Sequence, residues 1–381
     1  MTFHRAYGFD EIALATSDIT VDEADVSIGV SIADIKLNIP IIASAMDSVC
    51  SPSMAIELGK LGATGVLNLE GVHTRYEDPA SILKQIASVS NTEYVTTMQT
   101  AYQKESIKDH LVERCIKAIK AGGVPAIVSS TPQRASHLGP LAAAAGADAF
   151  VIQSTVISKH FYSSNESKKL DLEAFCASMP IPVLIGNTAT YDATKSLLST
   201  GVRGIFVGIG PGAACTTRGV LGIGVPMATC IADTAKARDD YFAETGTYVS
   251  IIADGGIINS GDICKAIACG ADAVMIGSPL ARANEAPGLG FHWGMATPNA
   301  LLPRGARVEV GSIADLKTIL LGPSSSDDGS LNLAGALSTG MATLGAKTIS
   351  EMQRVKKLIA PSLQTEGKLY QKTQKLGMGK H

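Results

Sequence analysis

Eight short runs of β-branched and aliphatic residues recur along the 381-residue chain, each ending in small or polar residues, and this repetition limits the fold more than any other feature. They fall at 40–46 (PIIASAM), 65–69 (GVLNL), 126–130 (AIVSS), 149–154 (AFVIQS), 182–187 (PVLIGN), 204–210 (GIFVGIG), 250–256 (SIIADGG) and 273–279 (AVMIGSP). The apolar residues are continuous rather than alternating, as in strands covered on both faces. Between them lie helical patterns such as 53–61, 138–145, 193–199 and 261–268. Gly62, Gly146, Gly201 and Gly270 follow four of these patterns, where a left-handed residue closes a helix before the next strand. Eight strands with intervening helices is the count of a closed (β/α)8 TIM barrel, with an open doubly wound sheet as the rival. The barrel is favoured by where the unusual residues fall. Asn187, the glycine-rich loop from Gly208 to Cys215, Asp254 and Gly277-Ser278 all sit at C-terminal strand ends, which share one mouth in a barrel.

Composition removes several function classes. Hydrophobic residues make up 46% of the chain and charged residues 18%, so a largely disordered chain is excluded. Lys and Arg number 32 against 35 Asp and Glu, which leaves no electrostatic footprint for nucleic acid or an anionic membrane. The apolar runs are broken well short of the ~20 residues that a membrane span needs. The first residues lack the apolar core of a secretory signal, so a cytoplasmic location is expected. Seven cysteines, none in a CxxC pair, argue against a disulfide framework or a zinc knot. We expect a single catalytic domain over 1–381 with two departures from the repeat. One is an insertion at about 88–120, with an extra apolar run at 94–98 and a charged helix. The other is a mobile flap and C-terminal segment at about 287–381, Gly-rich and irregular.

The loop Gly208-Ile209-Gly210-Pro211-Gly212-Ala213-Ala214-Cys215-Thr216-Thr217-Arg218 starts at the end of the sixth run and continues past it. Its glycines let backbone amides and carbonyls approach a ligand closely. A dinucleotide turn is the plainer reading, but the spacing is G-x-G-x-G rather than G-x-G-x-x-G. Cys215 at the loop tip is a better nucleophile candidate than the other six thiols. Of those, Cys115, Cys176, Cys264 and Cys269 fall in helical or apolar patterns, while Cys50 and Cys230 are ambiguous. Two more strand ends suit a nucleoside monophosphate. The carboxylate of Asp254, followed by Gly255 and Gly256, can accept both hydroxyls of a ribose. Gly277-Ser278, at the end of the eighth run, lies where barrels bind phosphate.

These residues resemble the IMP dehydrogenase / GMP reductase family, and in particular its bacterial IMP dehydrogenase-related paralogues without the tandem regulatory (CBS) domains. The likeness is carried, in chain order, by IPIIASAMDSV, GIGPGAACTTR, IIADGGI, AVMIGS and the EAPG at 285–288, over about 7–346. It implies that Cys215 attacks C2 of a purine monophosphate to form a covalent thioimidate, and that Thr217 and Glu285 handle protons there. It also implies that Ser44, Met46 and Asn187 line the base pocket, with Gly294 and Met295 at the purine edge. Asp254 would hold the ribose, and Gly256, Gly277 and Ser278 the phosphate, with Gly255 also among the substrate-binding residues. Ser44 and Met46 rest on the resemblance alone. The carbonyls of Gly210, Gly212 and Cys215 match a K+ site, and Gln153 and Ser154 match the cofactor-facing position for NAD or NADPH. The family assembles as homotetramers, sometimes stacked into homo-octamers.

The two activities differ in what leaves C2. A dehydrogenase must hydrolyse the thioimidate and uses an Arg-Tyr pair on a flap to activate water. The matching segment, 296–307 (ATPNALLPRGAR), contains Arg304 and Arg307 but no tyrosine. Gln153 stands where the dehydrogenase has an Asp, and the second-to-third-strand connection is too short for regulatory domains. Gly277-Ser278 and EAPG look more like the dehydrogenase. The balance favours a GMP reductase (GMP + NADPH to IMP + ammonia + NADP). IMP dehydrogenase (IMP + NAD + water to XMP + NADH) is the alternative, and a non-catalytic nucleotide-binding paralogue is the third reading.

Overall fold

All eight apolar runs form strands of one closed parallel barrel in the computed structural model, which describes residues 4–165, 169–295, 305–361 and 367–380. The strands are β1 (Ile41–Ala43), β2 (Thr64–Asn68), β3 (Ile127–Ser130), β4 (Ala149–Gln153), β5 (Val183–Thr188), β6 (Gly204–Val207), β7 (Ser250–Asp254) and β8 (Ala273–Ile276). Each pairs in parallel with the next, and β8 returns to β1 through Val274↔Ile41 and Ile276↔Ala43. The fold is a (β/α)8 TIM barrel; the open-sheet rival is excluded by this closure.

Two apolar layers explain the continuous strand pattern. Ile42, Val66, Val151, Leu184, Phe206, Ile252 and Met275 fill the barrel interior. A hairpin of Val30–Ile32 and Ile35–Leu37 plugs the end opposite the mouth, burying Ile32 and Leu37 against that interior. The alternate residues, among them Ile41, Leu67, Val128, Phe150, Ile185 and Ile205, pack outward against the helices. The helices expected between strands appear as Pro52–Lys60, Pro132–Ala144, Tyr191–Leu198 and Ser260–Ala268. The four glycines after them take φ values from 87° to 118°, the left-handed turn that their positions require.

The connection between β2 and β3 holds three helices, Pro79–Ser88, Tyr94–Lys104 and Asp109–Ala121. The extra run at 94–98 is therefore the start of a helix, and Met98, Ala101 and Tyr102 are its buried side. After β8 comes an antiparallel ribbon of Phe291–Trp293 and Arg307–Glu309, in which Trp293 pairs with Arg307. Of the expected flap at 296–307, residues 296–304, including Arg304, lie outside the described residues. No helix among the described residues is long and apolar enough to cross a membrane.

Candidate active site

The site is built where the strands end. At β7, Asp254 is half-buried, and its Oδ2 accepts from Asn187 Nδ2 at 2.8 Å and from Gln153 Nε2 at 3.2 Å. Asn187 reaches it through a register irregularity between Gly186 and Thr188 on β5, the kind of break that re-aims a side chain. The same Nδ2 also donates to Gly208 O at 2.9 Å. Desolvation pushes the Asp254 carboxyl up to about 6, partly offset by the two amide donors. Gly208 has φ 132°, and a Cβ there would stand 2.4 Å from Asp254 O, so only glycine lets the loop begin against β7. Pro211 then lies over Gly255 and Gly256, at 3.1 and 3.0 Å from where their side chains would start.

Cys215 is exposed at the tip of this loop, and Sγ donates to Thr217 Oγ1 at 3.2 Å. The remaining six thiols are free but shielded: Cys50, Cys115, Cys230 and Cys269 are buried, and Cys176 and Cys264 half-buried. Burial pushes all six up to about 11 or 12. Cys50 and Cys230, ambiguous from sequence, are thus core residues. Behind the tip, Ala214 O accepts from Ala306 N at 3.0 Å, which ties the loop to the second strand of the ribbon. Gly305 packs between Ala214 O and Gly294. Opposite, a side chain at Gly277 would stand 3.4 Å from Met46 Sδ and 3.6 Å from Ser44 Oγ, so these three candidates meet. Ser154, half-buried on the β4 rim, has its N–H on Gly186 O and its C=O on Asn187 N.

The structure thus gathers Ser44, Met46, Gln153, Ser154, Asn187, Cys215, Thr217, Asp254, Gly255, Gly256, Gly277 and Gly294 around one mouth. Glu285 is not among them. Its Oε2 accepts from Leu316 N at 2.9 Å, at the start of the helix Leu316–Leu321. It lines a lateral cleft with His73, Leu83 and Arg114 that none of the other candidates lines. Gln153, expected to face the cofactor, spans Asn187 and Asp254 with its amide. Sequence reasoning also missed four polar residues. His292 Nε2 lies 2.9 Å from Ser278 Oγ, and burial pushes the imidazole down to about 4, so it is neutral at pH 7. Tyr102, Trp293 and the fully buried Asp47 form a hydrogen-bonded chain beside Met295. The only signal for them was the place of Asp47 inside the quoted stretch IPIIASAMDSV and of Trp293 beside Gly294. Among the described residues, no group of three His, Cys, Asp or Glu is placed to hold a metal ion.

Comparison with known proteins agrees with this geometry. Residues 6–296 match the model of the IMP dehydrogenase / GMP reductase domain. An uncharacterized oxidoreductase of Mycolicibacterium smegmatis is 39% identical over 363 residues, covering 93% of this chain and 96% of that one. Inosine-5'-monophosphate dehydrogenase of Borreliella burgdorferi is 30% identical over 404 aligned positions, 92% of each chain. The crystal structure of an IMP dehydrogenase/GMP reductase-like protein from Corynebacterium glutamicum superposes with a TM-score of 0.88 at 36% identity, covering 94% of this chain and 95% of that one. With the closed barrel, the cysteine loop and these matches together, the chain belongs to the IMP dehydrogenase / GMP reductase family of oxidoreductases.

Proposed function

We propose that this chain is a GMP reductase, converting GMP and NADPH to IMP, ammonia and NADP. The observation that carries this reading is the fate of Arg307. Its Nη1 donates to Ile86 O at 2.7 Å and Ala87 O at 3.3 Å, its Nη2 to Asn91 Oδ1 at 2.8 Å. Its guanidinium also stacks over Tyr94 and Phe291, 5.3 and 4.7 Å from the ring centroids. An arginine held this way is not free to activate water, and 296–307 contains no tyrosine to partner Arg304. A reaction that expels ammonia from C2 does not need that water.

In this reading Asp254 accepts the ribose hydroxyls, with Asn187 and Gln153 holding its carboxylate in place. Gly256, Gly277 and Ser278 bind the phosphate, and neutral His292 fixes the Ser278 hydroxyl. Ser44, Met46, Gly294 and Met295 border the base. Cys215 Sγ attacks C2; the C2–N2 bond breaks, and the departing amine takes a proton, delivered from the Thr217 hydroxyl or from solvent through it. The thioimidate C–S bond breaks in the second half-reaction, returning the thiolate. Bound reduced nicotinamide supplies the hydride that ends on C2. Gln153 and Ser154, polar and half-buried on the adjoining rim, fit a cofactor placed there. The carbonyls of Gly210, Gly212 and Cys215 fit K+, being neutral hard oxygens on one loop, although Gly212 O also accepts from Cys215 N at 3.0 Å. Replacing K+ by a large organic cation is expected to lower turnover several-fold. We take the protein to work as a cytoplasmic homotetramer or homo-octamer, which sedimentation at working concentration would check.

The deciding experiment follows reduced-nicotinamide absorbance with two substrate pairs. Loss of signal with GMP and NADPH, and no gain with IMP and NAD, is the expected result. A gain with IMP and NAD alone would make the chain a dehydrogenase; neither signal, with nucleotide binding retained, would favour the non-catalytic paralogue.

A further inference from the structure

The helix Tyr94–Lys104 and the chain just before it grip both strands of the ribbon beside the mouth. Tyr102, 2% exposed, donates its hydroxyl to Asp47 Oδ2 at 2.7 Å and accepts from Trp293 Nε1 at 3.0 Å. The same oxygen lies 3.3 Å from Met295 Sδ. Asp47 follows Met46 directly, and its Oδ2 also accepts from Val72 N at 2.7 Å. A side chain at Gly71 would start 1.8 Å from Asp47 Oδ1, so glycine is what admits the carboxylate. That oxygen is buried without a partner, and none of the ion pairs among the described residues involves Asp47. A buried carboxylate with no cation is costly to keep, and an apolar residue would pack there at less cost. Its retention, wired to the residues that border the base, points to a task other than stability.

The second strand of the ribbon is held from the same insertion. Arg307, paired in register with Trp293, is fastened to Ile86, Ala87, Asn91 and the ring of Tyr94. Its neighbour Ala306 donates to Ala214 O, next to Cys215. One strand therefore ends at the purine edge and the other at the nucleophile loop, and each has its own anchor in the insertion.

We infer that the insertion between β2 and β3 is a positioning clamp for catalysis, in which Tyr102 sets the base-binding edge at Gly294–Met295 and Arg307 sets the Cys215 loop. This rests on the proposed nucleotide site but not on the direction of its chemistry. The two anchors predict different kinetic losses. Tyr102→Phe keeps the ring in its apolar cluster and removes the hydrogen-bonded chain. It is expected to raise the nucleotide KM about tenfold and to leave kcat within about threefold. Arg307→Met keeps the stem packing and removes the guanidinium, and is expected to lower kcat about tenfold with a smaller change in KM.

Trp293 is the only tryptophan in the chain, which gives a readout independent of turnover. Its emission should change saturably as GMP or IMP is titrated into wild type, with Cys215 alkylation slowed in parallel. In Tyr102→Phe that change should need about tenfold more nucleotide, at an unaltered cooperative melt. Asp47→Asn keeps one acceptor oxygen and should fall between. Wild-type KM and kcat in both the Tyr102 and Arg307 variants, or a lowered melting temperature as their only effect, would overturn the clamp. Absence of any nucleotide binding by wild type would overturn the functional reading, and the clamp with it.

Discussion

Over β4 to β7 the mouth is open at its rim, and its polar groups are bonded across strand ends: Gln153, Asn187 and Asp254 share one network, and Cys215 is exposed above it. Over β1 and β2 the polar groups are sealed among Val72, Ile86, Met98 and Trp293, and Asp47 keeps one buried oxygen without a partner. Both sides adjoin the same site, yet they solve different problems. In the proposed reaction the first presents the groups that meet the nucleotide and change protonation or bonding. The second holds geometry, and its desolvation makes each remaining hydrogen bond strong and directional. A substitution on the open side should therefore change chemistry or affinity with little loss of stability, and one on the sealed side should change geometry.

The sharpest test of the open side is its proposed nucleophile. Cys215→Ser should lower turnover at least about a thousandfold while leaving the melting temperature unchanged, because the side chain is exposed and packs little. Mass spectrometry after brief alkylation should find Cys215 labelled before the six shielded thiols, and GMP should protect it. Survival of turnover in the Ser variant would remove the covalent step and with it the distinction between the two sides.

Asp254 tests whether function on this side is bought against stability. Its carboxyl titrates near 6 in the folded chain against about 3.9 when unfolded, so folding favours the protonated form. Stability from this group is thus highest at acidic pH and declines as pH rises from about 4 through 6. Asp254→Asn should raise the melting temperature at pH 7, yet raise the nucleotide KM by about ten- to a hundredfold through loss of the anionic acceptor. In wild type the KM should climb as pH falls below about 6, and the Asn variant should lack the part of that climb that the substrate phosphate does not cause. A destabilised Asn variant at pH 7 would show that the amide donors outweigh the burial of the charge.

The contrast also explains what could be read from the chain alone. Strands such as 182–187 and 204–210 announce themselves because burial on both faces demands continuous apolar residues, and Asn187, Cys215 and Asp254 stand out as polar breaks at their ends. The sealed side has no such signature. Tyr102 lies 55 residues from Asp47 and 191 from Trp293, so their association is created only by closure of the barrel. The run at 94–98 carries β-branched Val95, Thr96 and Thr97, but tertiary packing of Met98, Ala101 and Tyr102 makes it a helix. Glu285 was assigned a proton-handling role by likeness of the EAPG stretch, and loop geometry, which that likeness does not encode, sends its carboxylate elsewhere.

That displacement yields the smallest expected effect. If Glu285 acts on C2, Glu285→Gln should cost a large part of turnover; the geometry predicts instead that kcat stays within about twofold. Its Oε2 satisfies the amide of Leu316 in the first turn of the helix Leu316–Leu321, where Asp315 already caps Thr318 N at 2.7 Å. Gln retains an acceptor oxygen for that amide but loses the charge favoured at a helix N-terminus. The expected loss is therefore about 0.5 kcal/mol of stability, less than the removal of a full cap. Thermal melts and steady-state rates on one preparation separate the outcomes: a melting shift with unchanged kcat places Glu285 among the residues that hold the fold, and the reverse returns it to the chemistry beside Thr217.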